Sequence, residues 1–243
     1  MFRPDHYVSR APASAPYAAA LRAFQTGDEH AGIRLRSSLG EDEVLPAAIF
    51  FRAGDELFPF EQYALDLARG RVLDLGAGAG VHSLELQTRG LEVLAVENCG
   101  PLVELMRMRG VRDVLRADFT LWRGPRFDTV LMLMNGIGPT GTLAGLDRFL
   151  RHARGFVAVG GRLIVDSAEA VPESVDSAEP WPDAGGYPGQ AWIDLEHAGI
   201  RGRPFRELYA DVETFRARAT AAGWTTDVAF EGNGAFLVRL TLR

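Results

Sequence analysis

Lysine is missing from this sequence: all 26 basic residues among the 243 are arginines, a compositional bias that carries no binding signal of its own. Positive charge is also in deficit. Thirty-two acids against 26 arginines give a formal net charge of −6 and a pI near 5.4, which argues against a protein whose main business is nucleic-acid phosphate, where affinity comes from accumulated cations. One cysteine, Cys99, rules out an internal disulfide and a cysteine-clustered metal site, and its position just past a predicted strand makes it a packing residue. No H-E-x-x-H or clustered His and Asp spacing is present, so no metal is expected. No run approaches the ~18 to 20 apolar residues of a membrane span, and the opening MFRPDHYVSR lacks the apolar core of a signal peptide, so no membrane contact and a cytoplasmic location are expected. What remains is ordinary: 47% hydrophobic and 24% charged residues, enough for one large soluble domain with a small extension.

Along the chain, residues 1–12 read as a loose arm, and an alanine-rich run with Tyr17, Leu21 and Phe24 at helical spacing predicts a short helix. Residues 33–51, with alternating Ile33 and Leu35 and an apolar stretch around Pro46, predict a short hairpin or an extended segment. Residues 1–58 are too poor in apolar side chains for their own core and are expected to cap a main domain at 59–243. That domain opens with a helix at 60–68 and then alternates strands (71–75, 91–96, 113–116, 127–134, 162–165) with helices, the last running from Leu143 to about Val157 before a turn at Gly160 and Gly161. Such alternation means a parallel sheet wound with helices on both faces. After strand five the order breaks down. Acids, prolines and glycines between Ser167 and Gln190 predict a mobile loop, a candidate lid, and residues 191–200 and 205–209 look like antiparallel strands, making 167–210 an insertion. Asp211 is a helix cap, and residues 225–231 and 235–242 form a hairpin around Gly232, Asn233 and Gly234. The expected fold is α/β: a Rossmann-like, doubly wound, seven-stranded sheet with an antiparallel last strand, an N-terminal cap and a β insertion after strand five.

Residues 72–90, VLDLGAGAGVHSLELQTRG, run from an apolar strand through a glycine-rich turn into a helix. A dinucleotide turn is written G-x-G-x-x-G, but the sixth position is Val81 counting from Gly76 and Ser83 counting from Gly78. An anion at this helix N-terminus would also meet Asp74, so the site suits a cationic ligand better than a phosphate. The D-x-G-x-G-x-G pattern resembles motif I of the class I S-adenosylmethionine-dependent methyltransferases. The phrases GAGAGVHSLELQ, LMLMNGIG and PFRELYAD are similar to a bacterial branch of that superfamily.

The resemblance implies S-adenosylmethionine as cofactor and S-adenosylhomocysteine as product. Gly76, Ala77, Gly78 and Gly80 would let backbone approach the methionine part and ribose, with Asp74 near the ammonium. Glu97, 21 residues after Gly76, would accept from both ribose hydroxyls, Asn98 would line the adenine, and Asp118 would take the adenine amino group. Phe119 is either an apolar wall beside it or a core aromatic. Asn135 stands where relatives that methylate amino groups of bases or amides carry [DNS]-P-P-[YFW]. Here Asn135 is followed by Gly136, Ile137 and Gly138, which counts against base methylation, and Asn135 either faces cofactor and acceptor or merely makes a helix-entry turn. His82 could be a general base or a ring packed near the cofactor carboxylate. Arg52 could meet a carboxylate and Glu61 an acceptor, or the two could join Glu56 in a solvated charge cluster. Tyr187 and Trp192, in or beside the insertion with Asp194, Glu196 and His197, are candidates for the acceptor pocket. The expected activity is methyl transfer to a small-molecule acceptor, with His82, Asn135 and Glu61 as catalytic candidates. Another transferase or cyclase using the same cofactor, or a non-catalytic domain binding S-adenosylmethionine or its product, stays open at this point.

Overall fold

A computed structural model describes residues 12–40, 42–169, 181–182, 186–232 and 234–242. The predicted arm and most of the predicted lid lie outside the described residues. The main sheet is built from β3 (Arg71–Leu75), β4 (Glu92–Glu97), β5 (Asp113–Arg116), β6 (Phe127–Met132), β7 (Val157–Ala168), β11 (Trp224–Gly232) and β12 (Ala235–Leu242). Its order is β11-β12-β7-β6-β3-β4-β5. Neighbours from β5 to β7 run parallel, and β12 is antiparallel to both β7 and β11, as expected from the C-terminal hairpin.

The central strands are apolar because both their faces are covered: Val72, Leu73, Val130, Leu131, Ile164 and Val165 are all fully buried. Helices α2 (Pro59–Asp66), α3 (Val81–Thr88), α4 (Gly100–Arg109), α5 (Leu143–Ala153) and α6 (Val212–Ala221) connect the strands. On α5, Leu146, Phe149, Leu150 and Ala153 fall at helical spacing on one buried face, and Thr142 caps its start by accepting from the Gly145 N–H at 3.0 Å. Asp211 caps α6 through Thr214 N–H at 2.7 Å.

Two boundaries differ from the sequence reading. α5 stops at Ala153 instead of about Val157, because Gly155 and Phe156 turn the chain and Val157 already pairs with Phe127 as the start of β7. Gly160, at φ +72°, lies inside that long irregular strand. β6 ends at Met132, two residues early, because Met134 and Asn135 adopt left-handed backbone at φ 66° and 54°.

The expected hairpin and the expected insertion strands join in a second sheet, a partnership the sequence reading did not make. The N-terminal hairpin, β1 (Gly32–Ser37) and β2 (Asp42–Pro46), joins the insertion strands β8 (Gln190–His197), β9 (Ile200–Arg201) and β10 (Phe205–Leu208) in the order β10-β8-β1-β2, with β9 on β8. The β1–β8 pairing is antiparallel, with Arg36 opposite Asp194. Asp194 is almost fully buried and holds Arg36 at 2.9 Å and Arg201 at 2.6 Å, so it ties β1 and β9 to β8. Helix α1 (Ala15–Gln25) packs through Ala18, Ala20 and Leu21 in a cluster with Ile33 of β1, Ala79 of the glycine turn and Leu102 and Leu105 of α4, so it touches the cap, the glycine turn and α4 together. No helix among the described residues is long and apolar enough to cross a membrane.

Candidate functional site

The site forms where β3, β4, β6 and β7 end, the edge at which open α/β sheets bind ligands. After β3 the chain turns through Gly76, Gly78 and Gly80, all at positive φ (70°, 56° and 80°). Gly80 tolerates nothing larger on a second count, since a Cβ there would stand 2.7 Å from Val111 Cγ2. The N–H groups of Gly76 and Ala77 both donate to the Val96 carbonyl, at 2.9 and 3.2 Å, hooking the turn over the end of β4. Gly76 itself is exposed, and a Cβ on it would meet nothing within 4 Å, so open space lies above it.

Two carboxylates flank that space. Asp74 is buried at the end of β3 and accepts the Ser83 hydroxyl at 2.6 Å; burial raises its pKa above the ordinary carboxylate value. Glu97, ending β4, accepts from the N–H groups of Gly78 at 3.1 Å and Cys99 at 2.9 Å, yet burial still raises its pKa. Asn98 beside it is exposed, and its carbonyl accepts from Arg116 Nε at 3.2 Å. Asp118 uses Oδ1 to take the N–H and hydroxyl of Thr120, at 2.8 and 2.7 Å, which shapes the turn after β5. Phe119 packs into the main core, edge-on to Phe149 with ring centroids 5.7 Å apart.

Arg52, Glu61 and His82, on three separate elements, meet in one buried cluster. Glu61 is fully buried and accepts from Arg52 Nη2 at 2.8 Å, from the Phe58 N–H at 2.8 Å and from His82 Nε2 at 3.0 Å. Burial pushes its pKa up, but His82, the Phe58 N–H and Arg52 outweigh that and hold it below the usual carboxylate value. A carboxylate only accepts, so His82 donates from Nε2 in this pair. Arg52 lies over the Phe58 ring, 3.6 Å from its centroid, and its Nε and Nη1 are shielded from solvent with no hydrogen-bond partner among the described residues. Glu56 is exposed and stands outside this cluster.

Asp166, at the end of β7, is the fourth buried carboxylate of the site, after Asp74, Glu97 and Glu61. It accepts from Gly136 N–H at 2.8 Å and Asn135 N–H at 3.2 Å, which holds the left-handed turn after β6. The Asn135 side-chain oxygen accepts from Ser167 at 3.1 Å. Gly138 follows in close packing, since a Cβ there would lie 2.6 Å from both Asn135 Nδ2 and Glu207 Oε1 and would force those side chains to move.

Burial pushes Asp166 up to about 6. The folded state therefore holds this proton more tightly than the unfolded chain does. Stability from this group is highest at about pH 4 and falls by about 2 to 3 kcal/mol as pH rises through 6. We expect its side-chain carboxyl carbon to titrate near pH 6 by NMR, and Asp166→Asn to remove this contribution to the stability slope between about pH 4 and 6. A midpoint near the ordinary carboxylate value would contradict the expectation.

On the insertion side, Tyr187 is fastened to the start of α6, its hydroxyl donating to Asp211 Oδ2 at 2.6 Å and accepting the Asp211 N–H at 3.1 Å. Trp192 on β8 is partly exposed beneath the Arg206 guanidinium, 5.1 Å from its ring centroid.

Four residues near the site were not read from sequence as site residues: Tyr17, Asp166, Glu207 and Tyr209. The Tyr209 hydroxyl lies 3.2 Å from Glu207 Oε2, and Glu207 faces the Asn135 turn. Both stand in the PFRELYAD phrase, and Asp166 ends strand five as Asp74 and Glu97 end or approach the ends of theirs. Those signals were present. Tyr17 gave none beyond helical packing.

Among solved structures, a methyltransferase dependent on S-adenosylmethionine from Bacteroides fragilis, in complex with S-adenosyl-L-homocysteine, is 32% identical to this chain. The match spans 96% of this chain and 98% of that one, with a TM-score of 0.82. The CcbJ methyltransferase from Streptomyces caelestis is 17% identical over 75% of this chain and 88% of its own, with a TM-score of 0.60. The sugar N-methyltransferase KedS8 from Streptoalloteichus sp. is 20% identical over 76% and 84%, with a TM-score of 0.52. These two likenesses concern the fold alone. No protein-family model and no curated protein matches the sequence.

Proposed function

Because the chain belongs to the class I S-adenosylmethionine-dependent methyltransferases, we propose that it methylates a small-molecule acceptor in the cytoplasm. The observation that carries the cofactor assignment is Glu97, a buried carboxylate aimed by the Gly78 and Cys99 amides beside the open space over Gly76. The residues present fit the cofactor: carboxylates face a cationic ligand, and a glycine floor leaves room for it. Bound there, S-adenosylmethionine supplies an electrophilic sulfonium methyl that passes to the acceptor's nucleophilic atom and leaves S-adenosylhomocysteine.

Glu97 accepts from the ribose hydroxyls, and Asp74, oriented by Ser83, faces the ammonium. Gly76, Ala77 and Gly78 admit the ligand against the backbone, and Gly80, packed against Val111 and Met106, holds the turn behind them. Asn98 and Asp118 border the adenine. Arg52, whose Nε and Nη1 are shielded and unpaired among the described residues, takes the cofactor carboxylate, which favours the complete cofactor over its decarboxylated form. His82, its ring fixed by Glu61 through Nε2, is the base we assign toward the acceptor, and Asn135 marks the border between cofactor and acceptor. Holding the two reactants aligned and dry is the larger part of the work.

We assign the acceptor side to the second sheet, where β1 and β2 of the cap (1–58) meet β8, β9 and β10 of the insertion (167–210) beside the main domain (59–243), with Trp192 lining the opening and Tyr187 bracing it. The net charge of −6 and the absence of Pro-Pro-aromatic after Asn135 support a small molecule over nucleic acid.

Calorimetry with S-adenosylmethionine and S-adenosylhomocysteine, together with transfer of isotopically labelled methyl into small-metabolite pools, tests this reading. Binding of both ligands and label in a small product are expected. Failure of both to bind would overturn the cofactor site, and label found only in nucleic acid or protein would overturn the acceptor class.

A further inference from the structure

The glycine turn spends its own hydrogen-bond donors internally. Gly76 and Ala77 N–H go to the Val96 carbonyl, Gly78 N–H to Glu97, and Gly80 N–H to the Ala77 carbonyl at 2.8 Å. A ligand in the space above therefore meets a carboxylate that accepts from it and few amides that donate to it. A ribose hydroxyl does both: once it has donated to Glu97, its oxygen lone pairs can still take a donor.

Tyr17 faces that need. Helix α1 places its hydroxyl 3.1 Å from where a Cβ on Gly78 would stand. Burial, and after it the Glu97 charge, pushes the hydroxyl's pKa above its ordinary value, so the group stays protonated and donates. The hydroxyl has no hydrogen-bond partner among the described residues. The ring packs edge-on against Phe50 with centroids 4.9 Å apart. Arg109 pins the surrounding segment to the turn: its Nη1 donates to the Ala79 carbonyl at 2.6 Å and the Phe50 carbonyl at 3.2 Å, and its guanidinium lies 4.4 Å from the Phe51 ring centroid. The phenol is thus held in place by packing while its polar end is unspent.

We propose that Tyr17 is a positioning residue of the cofactor site, donating its hydroxyl proton in a hydrogen bond to a ribose hydroxyl that in turn donates to Glu97. The inference rests on the methyltransferase reading. It makes the N-terminal helix part of the cofactor site and gives the nucleoside a donor that the glycine turn does not supply.

Tyr17→Phe keeps the ring and its contact with Phe50, and a thermal melt verifies that the variant folds. Calorimetry then compares wild type and variant with S-adenosylhomocysteine, with 5′-methylthioadenosine, which lacks the amino-acid part, and with the 2′-deoxy and 3′-deoxy forms of the latter. We expect the variant to bind the first two about tenfold more weakly, and the penalty to vanish for the deoxy form that lacks the partner hydroxyl. Equal affinities for wild type and variant would overturn the proposal. So would a penalty seen with S-adenosylhomocysteine alone, which would move the contact to the amino-acid part, or an equal penalty on all four ligands, which would mark a structural role. Wild type binding none of them would instead sink the methyltransferase reading.

Discussion

Replacing Glu61 by leucine is expected to cost about 3 to 5 kcal/mol of stability, the usual loss when one partner of a buried ion pair is removed. Glu61 is the sole hydrogen-bonded acid on the Arg52 guanidinium among the described residues, and it also serves His82 and the Phe58 N–H. Leucine fills much of the volume but accepts nothing, so the buried guanidinium loses its counter-charge where water does not reach. The sign of the pH effect follows from its lowered pKa. Stability from Glu61 is present at neutral pH and is lost as pH falls through the folded value, so the variant should differ most from wild type near neutrality and least in acid. For a chain of this size the loss corresponds to a melting temperature lower by roughly 6 to 20 °C. A drop of under about 1 kcal/mol in urea unfolding would show that the cluster does not act as a buried pair.

Glu97→Ala has the opposite profile: a large loss of binding with little loss of stability. Two charge-assisted hydrogen bonds to the ribose are expected to disappear, and affinity for S-adenosylhomocysteine should fall more than about a hundredfold. Burial raises the pKa of Glu97, so at neutral pH its ionised form works against folding. Removing it relieves that penalty while freeing the Gly78 and Cys99 amides, and the two effects offset. Calorimetry and a thermal melt on the same sample check both halves. Unchanged affinity would remove Glu97 from the cofactor site.

The sheet was legible in the sequence because its signals are local. Apolar strands close on Asp74 and Glu97, glycines stop the helices, and the final hairpin shows its turn. The Asp74, Gly76 and Gly78 pattern is likewise contiguous, so the floor of the site could be read directly. The Arg52, Glu61 and His82 cluster could not, because its members come from a loop, α2 and α3 and nothing in their spacing tells a buried relay from a solvated cluster. The partnership of β1 with β8 was hidden for the same reason, since alternation gives a strand's faces but not its neighbour. Tyr17 sits in an alanine-rich helix where an aromatic reads as packing, and only the fold brings its hydroxyl to Gly78. The Val157 boundary failed where an apolar run fits helix and strand alike.

Pairing β1 with β8 also sets an order of assembly. On the ribosome the β1–β2 hairpin emerges well before the strand that completes its sheet, which, with Asp194 opposite Arg36, follows about 150 residues later. Closing so long a loop is costly until the intervening chain is already compact. The β3 to β7 sheet should therefore condense before the second sheet does. During synthesis, the edge of β1 that β8 later covers stays without its strand partner until that part of the chain is made.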